Sequence, residues 1–154
     1  MSVRTGYFAG NTRQVQNSIK KRLTDQKNLR KAMALATELV RGEAVESIMR
    51  GAKTGTTYTK YNPRRTHTAS AEGEAPASDT GNLVSGITTN ISTGFNEVTG
   101  EVIANAKDGQ GGNYAKHLEF GTKNMRPRPF LFPAMEKSRT RILAIFKRHG
   151  VKFR

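Results

Sequence analysis

One stretch constrains this chain more than any other. From Asn11 to Arg50, apolar residues recur at helical spacing for forty consecutive positions. Val15, Ile19 and Leu23 fall four apart, Leu29, Met33, Ala36, Leu39 and Val40 continue the stripe, and Val45, Ile48 and Met49 close it. Apolar residues three and four apart line one face of a helix, whereas a strand needs a period of two. Asn11 is placed to cap the start, with Gln14 three residues on reaching back as in a capping box. Gly51 is placed to end it. About 38 residues at about 1.5 Å each reach roughly 57 Å, more than a small domain needs. Part of the helix is therefore expected to lie against another subunit. The polar interval at Thr24–Asp25 and the glycine at Gly42 predict a bend or break.

The rest of the chain offers little to bury. Hydrophobic residues make up 35% of 154, and mean hydropathy is −0.63. That length suits one domain over 1–154, but the core is lean, and parts of the chain are expected to order only against a partner. There is no cysteine, hence no disulfide framework and no thiolate metal site. No run approaches the roughly 20 apolar residues of a membrane span. The opening MSVRTGYFAGNTRQ lacks the apolar core of a signal peptide. Cytoplasmic assembly, away from any membrane, is the expectation.

The net charge is +14 and is unevenly spread. Residues 1–50 hold ten Lys/Arg against four Asp/Glu, and residues 113–154 hold eleven against two. Residues 51–80 hold four against three, and 81–112 hold one against three. Two cationic terminal segments thus flank a nearly neutral middle. Such a surface attracts a polyanion, nucleic acid first, or pairs with acidic partner subunits. The residues expected to face DNA are Lys20, Lys21, Arg22, Lys27, Arg139, Arg141, Lys147 and Arg148.

Beyond Gly51 the helical pattern stops. Residues 51–82 are rich in Gly, Thr, Ser, Ala and Pro and read as an extended loop or arm, in which Thr57–Tyr61 alternates like a strand of a hairpin. Asp79 or Thr80 is placed to cap a single helical turn at Asn82–Ser85. Ile87, Thr89 and Ile91, then Val98, Gly100, Val102 and Ala104, alternate with polar residues around a turn at Thr93–Asn96. That predicts an antiparallel hairpin with one face on the core. AKDGQGG at 106–112 reads as a loop, Asn113 as the cap of a short helix Tyr114–Phe120, and Gly121 as its end. Pro127 and Pro129 keep 122–132 extended, and a last helix begins near Pro133 with Leu131, Met135, Ile142, Leu143 and Phe146 close to one face. The fold class is α+β: long N-terminal helix, extended loop or arm, small antiparallel sheet, short helix, basic C-terminal helix.

Reactive groups are sparse. His67, His117 and His149 lie in three separate elements, none at metal-ligand spacing from another. His117 and Glu119 are two apart and leave a helix in different directions. Gly109–Gly112 precedes a short helix, but no Gly-Lys-Ser/Thr follows, so a mobile loop is the better reading than a phosphate cradle. Asp108 and Glu101 form no paired-carboxylate arrangement. No catalytic residue, metal or cofactor is assigned, and a non-enzymatic protein is expected.

Two segments carry a recognisable pattern. The first spans His67–Leu83 and contains Gly73-Glu74-Ala75-Pro76 and Thr80-Gly81-Asn82-Leu83. The second contains Tyr114-Ala115 and Glu119-Phe120-Gly121-Thr122, then Arg128-Pro129-Phe130-Leu131-Phe132-Pro133-Ala134. In this order they resemble the tail-completion family of tailed bacteriophages, also described as head–tail joining, neck or minor tail proteins. The resemblance covers most of the chain, with residues 1–60 matching in pattern only. It implies a virion structural subunit, assembled in the host cytoplasm as a ring, six copies rather than twelve. It further implies neighbours among connector, tail-terminator and tail-tube proteins, genomic DNA in the lumen and no catalysis. Subunit or partner contacts are expected at Tyr58, Tyr61, Tyr114, His117, Phe120, Arg128, Phe130 and Phe132. Tyr114, Phe120 and Phe130 are expected to join hairpin to helices, and the arm to dock on a neighbouring ring. A stand-alone, sequence-independent DNA-binding protein is the alternative.

Overall fold

The computed structural model describes residues 9–95, 97–107 and 112–151, with side chains from Arg13 onward. The order of elements is α1 (Ala9–Arg50), β1 (Thr57–Tyr61), β2 (Arg64–Thr68), α2 (Asn82–Ser85), β3 (Ile87–Thr93), β4 (Val98–Ala104), α3 (Tyr114–Phe120) and α4 (Leu131–Arg148). The fold is α+β, with two antiparallel two-stranded sheets among the described residues, β1–β2 and β3–β4. Asp108, residues 109–111 of the Gly-rich loop and Asn96 of the hairpin turn lie outside the described residues.

The long helix is continuous, without the break expected at Thr24–Asp25 or Gly42. Thr24 explains part of this: its hydroxyl donates back to the Lys20 carbonyl at 3.0 Å, so the polar side chain is satisfied within the helix. Asn11 is inside α1 rather than at its cap. At the other end Gly51 follows as expected, its N–H donating to the Ser47 carbonyl at 3.1 Å. Lys53 Nζ donates to the same carbonyl at 3.2 Å and to the Ala75 carbonyl at 2.7 Å, which ties the helix end to the following loop. Burial holds the Lys53 ammonium below its ordinary pKa.

Only the C-terminal half of α1 is packed. Ala32, Ala36, Val40, Ala44 and Ile48 are buried at intervals of four. On α4 the matching row is Ala134, Ser138, Ile142 and Phe146, also at intervals of four and buried or half-buried. Rows at this spacing form ridges that fit the grooves of a facing helix. The small residues Ala32, Ala36, Ala134 and Ser138 allow close approach. Phe130, 1% exposed, plugs the end of this interface beside Ala44 and Ile48. Phe146 plugs the other end beside Ala32 and Ala36, so the two helices run antiparallel.

The β3–β4 hairpin lies along a second side of α1. Its register pairs Ile87 with Ala104 and Thr93 with Val98. Thr89 donates to Glu38 at 2.8 Å, and Gln26 donates to the Gly94 carbonyl at the hairpin tip at 2.9 Å. Between these points Gly100 faces α1 so closely that a Cβ there would stand 2.6 Å from both Met33 Cγ and Thr37 Cγ2. The strand alternation expected from sequence holds: Ile87 and Val98 are buried, while Thr88, Asn90, Thr99 and Glu101 are exposed.

Helix α4 starts at Leu131, two residues before the expected Pro133. Its apolar arc is wider than its buried arc, so Met135 and Leu143 stand on the exposed edge rather than in the core. The single turn α2 has Gly81 at its N-cap position, not Asp79 or Thr80.

Candidate assembly interface

The two motif segments meet in space and are sewn together by hydrogen bonds. Arg126 pairs with Glu72 at 2.8 Å, Gly73 N–H donates to the Pro127 carbonyl at 3.2 Å, and Arg128 Nε donates to the Ser70 carbonyl at 3.2 Å. Glu74 accepts from the Thr54 hydroxyl (2.6 Å), the Thr54 N–H (3.0 Å) and the Ala71 N–H (2.8 Å). These bonds hold the Glu74 carboxyl below its usual range, the Thr54 hydroxyl first among them. Pro76 and Ser70 are buried. Residues 69–81 therefore belong to the body, and the arm reduces to the β1–β2 hairpin.

Glu119 carries the sharpest chemistry in this region. Its carboxylate accepts from the N–H groups of Phe130 (2.9 Å), Leu131 (3.1 Å) and Phe132 (2.9 Å). It is the N-terminal cap of α4, supplied by α3. A helix leaves its first N–H groups without partners and carries positive charge there, so a carboxylate fits. Pro133, next in line, has no N–H to satisfy. Gly121, at φ +74, turns the chain sharply between cap and capped helix. The Glu-Phe-Gly and Arg-Pro-Phe-Leu-x-Pro motifs are thus two halves of one capping device. Sequence reasoning missed Glu119; the signal was a carboxylate before Gly121 and a helix start without a Ser, Thr, Asp or Asn cap.

The residues expected at contacts divide into three groups. Phe130 is core, Tyr114 and Arg128 are half-buried, and burial pushes the Tyr114 phenol up. Phe120 is 76% exposed and joins nothing to the helices, contrary to expectation, because it follows Glu119 out of the buried face. Phe132 is 66% exposed and His117 is exposed, so neither occupies a pocket or a core place of this chain. Phe120, Phe132 and Met135 instead stand at an open groove of about 600 Å³. Its floor is Met33, Ala36, Val40, Val102, Ala104 and Ile142.

The arm is a separate surface. Tyr61 is 80% exposed at its turn, and Tyr58 meets His67 edge-on, ring centroids 5.4 Å apart. Asp79 ties the arm to the body near its turn: it takes Lys60 and, at 2.6 Å, Arg65, the pair next to Tyr61 and Arg64, with His67 Nδ1 at 3.9 Å.

The cations expected to face DNA are all exposed. On α1, Arg13, Lys20, Lys27 and Lys31 recur at seven, seven and four, a row along one exposed face. None of Lys20, Lys21, Arg22 or Lys27 has an ion-pair partner among the described residues. On α4 they do not form one patch: Arg139 and Lys147 lie on one flank, Arg141 and Arg148 on the other.

Among the described residues no group of three or more His, Cys, Asp or Glu is placed to hold a metal. No described helix is long and apolar enough to cross a membrane. The chain matches no family model, no curated protein and no solved structure.

Proposed function

We propose that this chain is a structural subunit of a phage virion, a ring-forming tail-completion protein that joins the tail tube to the head connector. One observation carries the reading. The two segments that resemble that family form a single junction in space, with Glu72, Gly73 and Ser70 bonded to Arg126, Pro127 and Arg128. Two unfinished apolar surfaces support it as well: the exposed side of the groove, and the outer half of α1. Exposed apolar patches of this kind mark contacts with other chains. Six copies around the tail axis follow from the resemblance.

The test is complementation. Heads and tails are prepared from phage lacking this chain, and purified protein is added. Joined infectious particles with a symmetric ring at the neck are expected; joining without the protein would sink the proposal.

The row of exposed cations on α1 favours a second reading, sequence-independent DNA binding. A stand-alone binder would bind duplex DNA as a monomer or dimer, with affinity falling steeply as salt rises. A neck subunit would bind DNA feebly and associate with connector or tail proteins.

A further inference from the structure

Every side chain from Arg13 to Asp25 is exposed, including Val15, Ile19 and Leu23, which are 53%, 52% and 62% exposed. These three apolar residues, four apart, form a largely exposed row, of which Ile19 and Leu23 border an open pocket walled on its far side by Phe95, Glu97, His149 and Val151. A second exposed apolar surface is formed by Phe120, Phe132 and Met135 beside the groove. We infer that copies of this chain join head to tail, the Val15–Ile19–Leu23 row of one seated on the Phe120–Phe132–Met135 surface of the next. The inference rests on the ring reading above and names the surfaces that would build the ring.

Three arguments lead to it. The first is geometry. Helix α1 is unbroken, so its outer half cannot fold back on its own body. Ile19 lies 17 residues from Ala36 on the groove floor, about 25 Å along the helix. The two surfaces of one chain cannot meet, but those of two chains can. The second is shape. An apolar row at intervals of four on a helix is what an open apolar groove receives. The third is charge, and it selects the partner. Lys20, Lys21, Arg22 and Lys27 lie around the row, four cations against two acids, Asp25 on α1 and Glu97 across the pocket. Row against row would set two such cationic blocks face to face, which like-charge repulsion opposes. The charged residues lining the groove are Lys116 and Glu119, one of each sign, so the row meets no excess of like charge there. A contact between two different surfaces is heterologous, and repeating it closes a ring when the rotation permits.

The chain has no cysteine, which makes crosslinking clean. Ile19→Cys and Met135→Cys, both at exposed positions, are made in the full-length protein, oxidised separately and mixed. A disulfide-linked dimer in the mixture, and in neither variant alone, is expected. The double variant should give a ladder of bands ending at the ring. Ile19→Asp should retain the circular dichroism of the parent, and the melting of the parent at dilutions where the parent too is monomeric, while the oligomer falls to monomer. Dimers of either single variant alone, or no crosslink in the mixture up to the solubility limit, would overturn the inference. The two readings fail separately. Neck rings that do not crosslink between these positions sink the contact and leave the tail-completion role. Crosslinked oligomers that never enter virions support the contact and sink that role.

Discussion

From Leu29 to Ile48, α1 lies under α4 and the β3–β4 hairpin; from Val15 to Leu23, the same helix with the same spacing of apolar residues stands in water. The buried half is mostly alanine: Ala32, Ala36 and Ala44, with Val40 and Ile48. The exposed half carries the larger side chains. If apolar area alone decided burial, the assignment would be reversed, since a larger side chain gains more on leaving water. Small residues are inside because they let a second helix come close, and large ones are outside because their partner is not part of this chain. Apolar periodicity therefore states what a helix needs to bury and is silent on who supplies the cover. Packing, not propensity, gives most of a helix's stability in proteins, so the outer half borrows its order from continuity with the packed half.

The largest effect should come from truncating the two halves in parallel. Ile48→Ala opens a cavity at a fully buried position and should cost about 2–5 kcal/mol. Ile19→Ala should change the stability of the monomer by no more than about 0.5 kcal/mol. Urea unfolding monitored by circular dichroism gives both values. A large, concentration-dependent loss for Ile19→Ala would mean that the outer half is already covered in solution by another copy.

Next comes the device that holds α4 against the packed half. Glu119→Ala removes one carboxylate from three N–H groups and should cost about 2 kcal/mol, the range of a lost charged cap. Amide exchange should quicken at Leu131 and Phe132 and over Ala32–Ile48, and stay unchanged over Val15–Leu23. Glu119→Gln keeps an acceptor and should recover part of the loss. Uniform acceleration along all of α1 would show that its halves are not separable.

What was legible in the sequence follows the same division. Elements with their own period were readable: α1, the β3–β4 hairpin and its inward face, α3 with Gly121, and the strand at Thr57–Tyr61. Three things were not. The first turn of α4 hid because its cap, Glu119, comes from another helix twelve residues before Leu131, whereas capping rules look next door. The fate of Phe120, Phe132, Met135 and Leu143 hid because an apolar residue beside a core stripe has the same sequence signature inside and outside. Residues 69–81 looked like arm because loops that bond through Ser70, Gly73 and Glu74 show no periodicity. The expected break at Thr24–Asp25 failed because a polar interval weakens packing without breaking backbone hydrogen bonds.

Within the packed half, one atom does not fit. Ser138 is 1% exposed, and its hydroxyl has no hydrogen-bond partner among the described residues. A buried hydroxyl without a partner is destabilising, whereas a methyl in its place is not. Ser138→Ala should raise stability by about 1 kcal/mol or less, seen as a shift of the urea midpoint with unchanged slope. A loss of stability would mean that the small-residue row owes its fit to the oxygen rather than to size alone.

The smallest global effect is expected at the arm, which stands between the two halves in character: ordered, but tied to the body near its turn through Asp79. The carboxyl of Asp79 is held below its usual range, first by the hydrogen bond from Lys60 and then by the charge of Arg65. Its pKa is therefore lower folded than unfolded. The tether's contribution is fully present above the unfolded value, about 3.9, and is lost as pH falls through the depressed folded value. Acid should release the arm, and Asp79→Asn should release it at neutral pH. Trypsin should then cut faster after Arg64 and Arg65, and amides of Thr57–Thr68 should exchange faster, with no measurable change in the global midpoint. If Asp79→Asn leaves cutting unchanged, the arm is held by its own strand pairing and by the Tyr58–His67 contact, and it belongs with the packed half of the molecule. If cutting rises and joined particles still form in the complementation test, the arm's position is set by its neighbours, as the outer half of α1 is proposed to be.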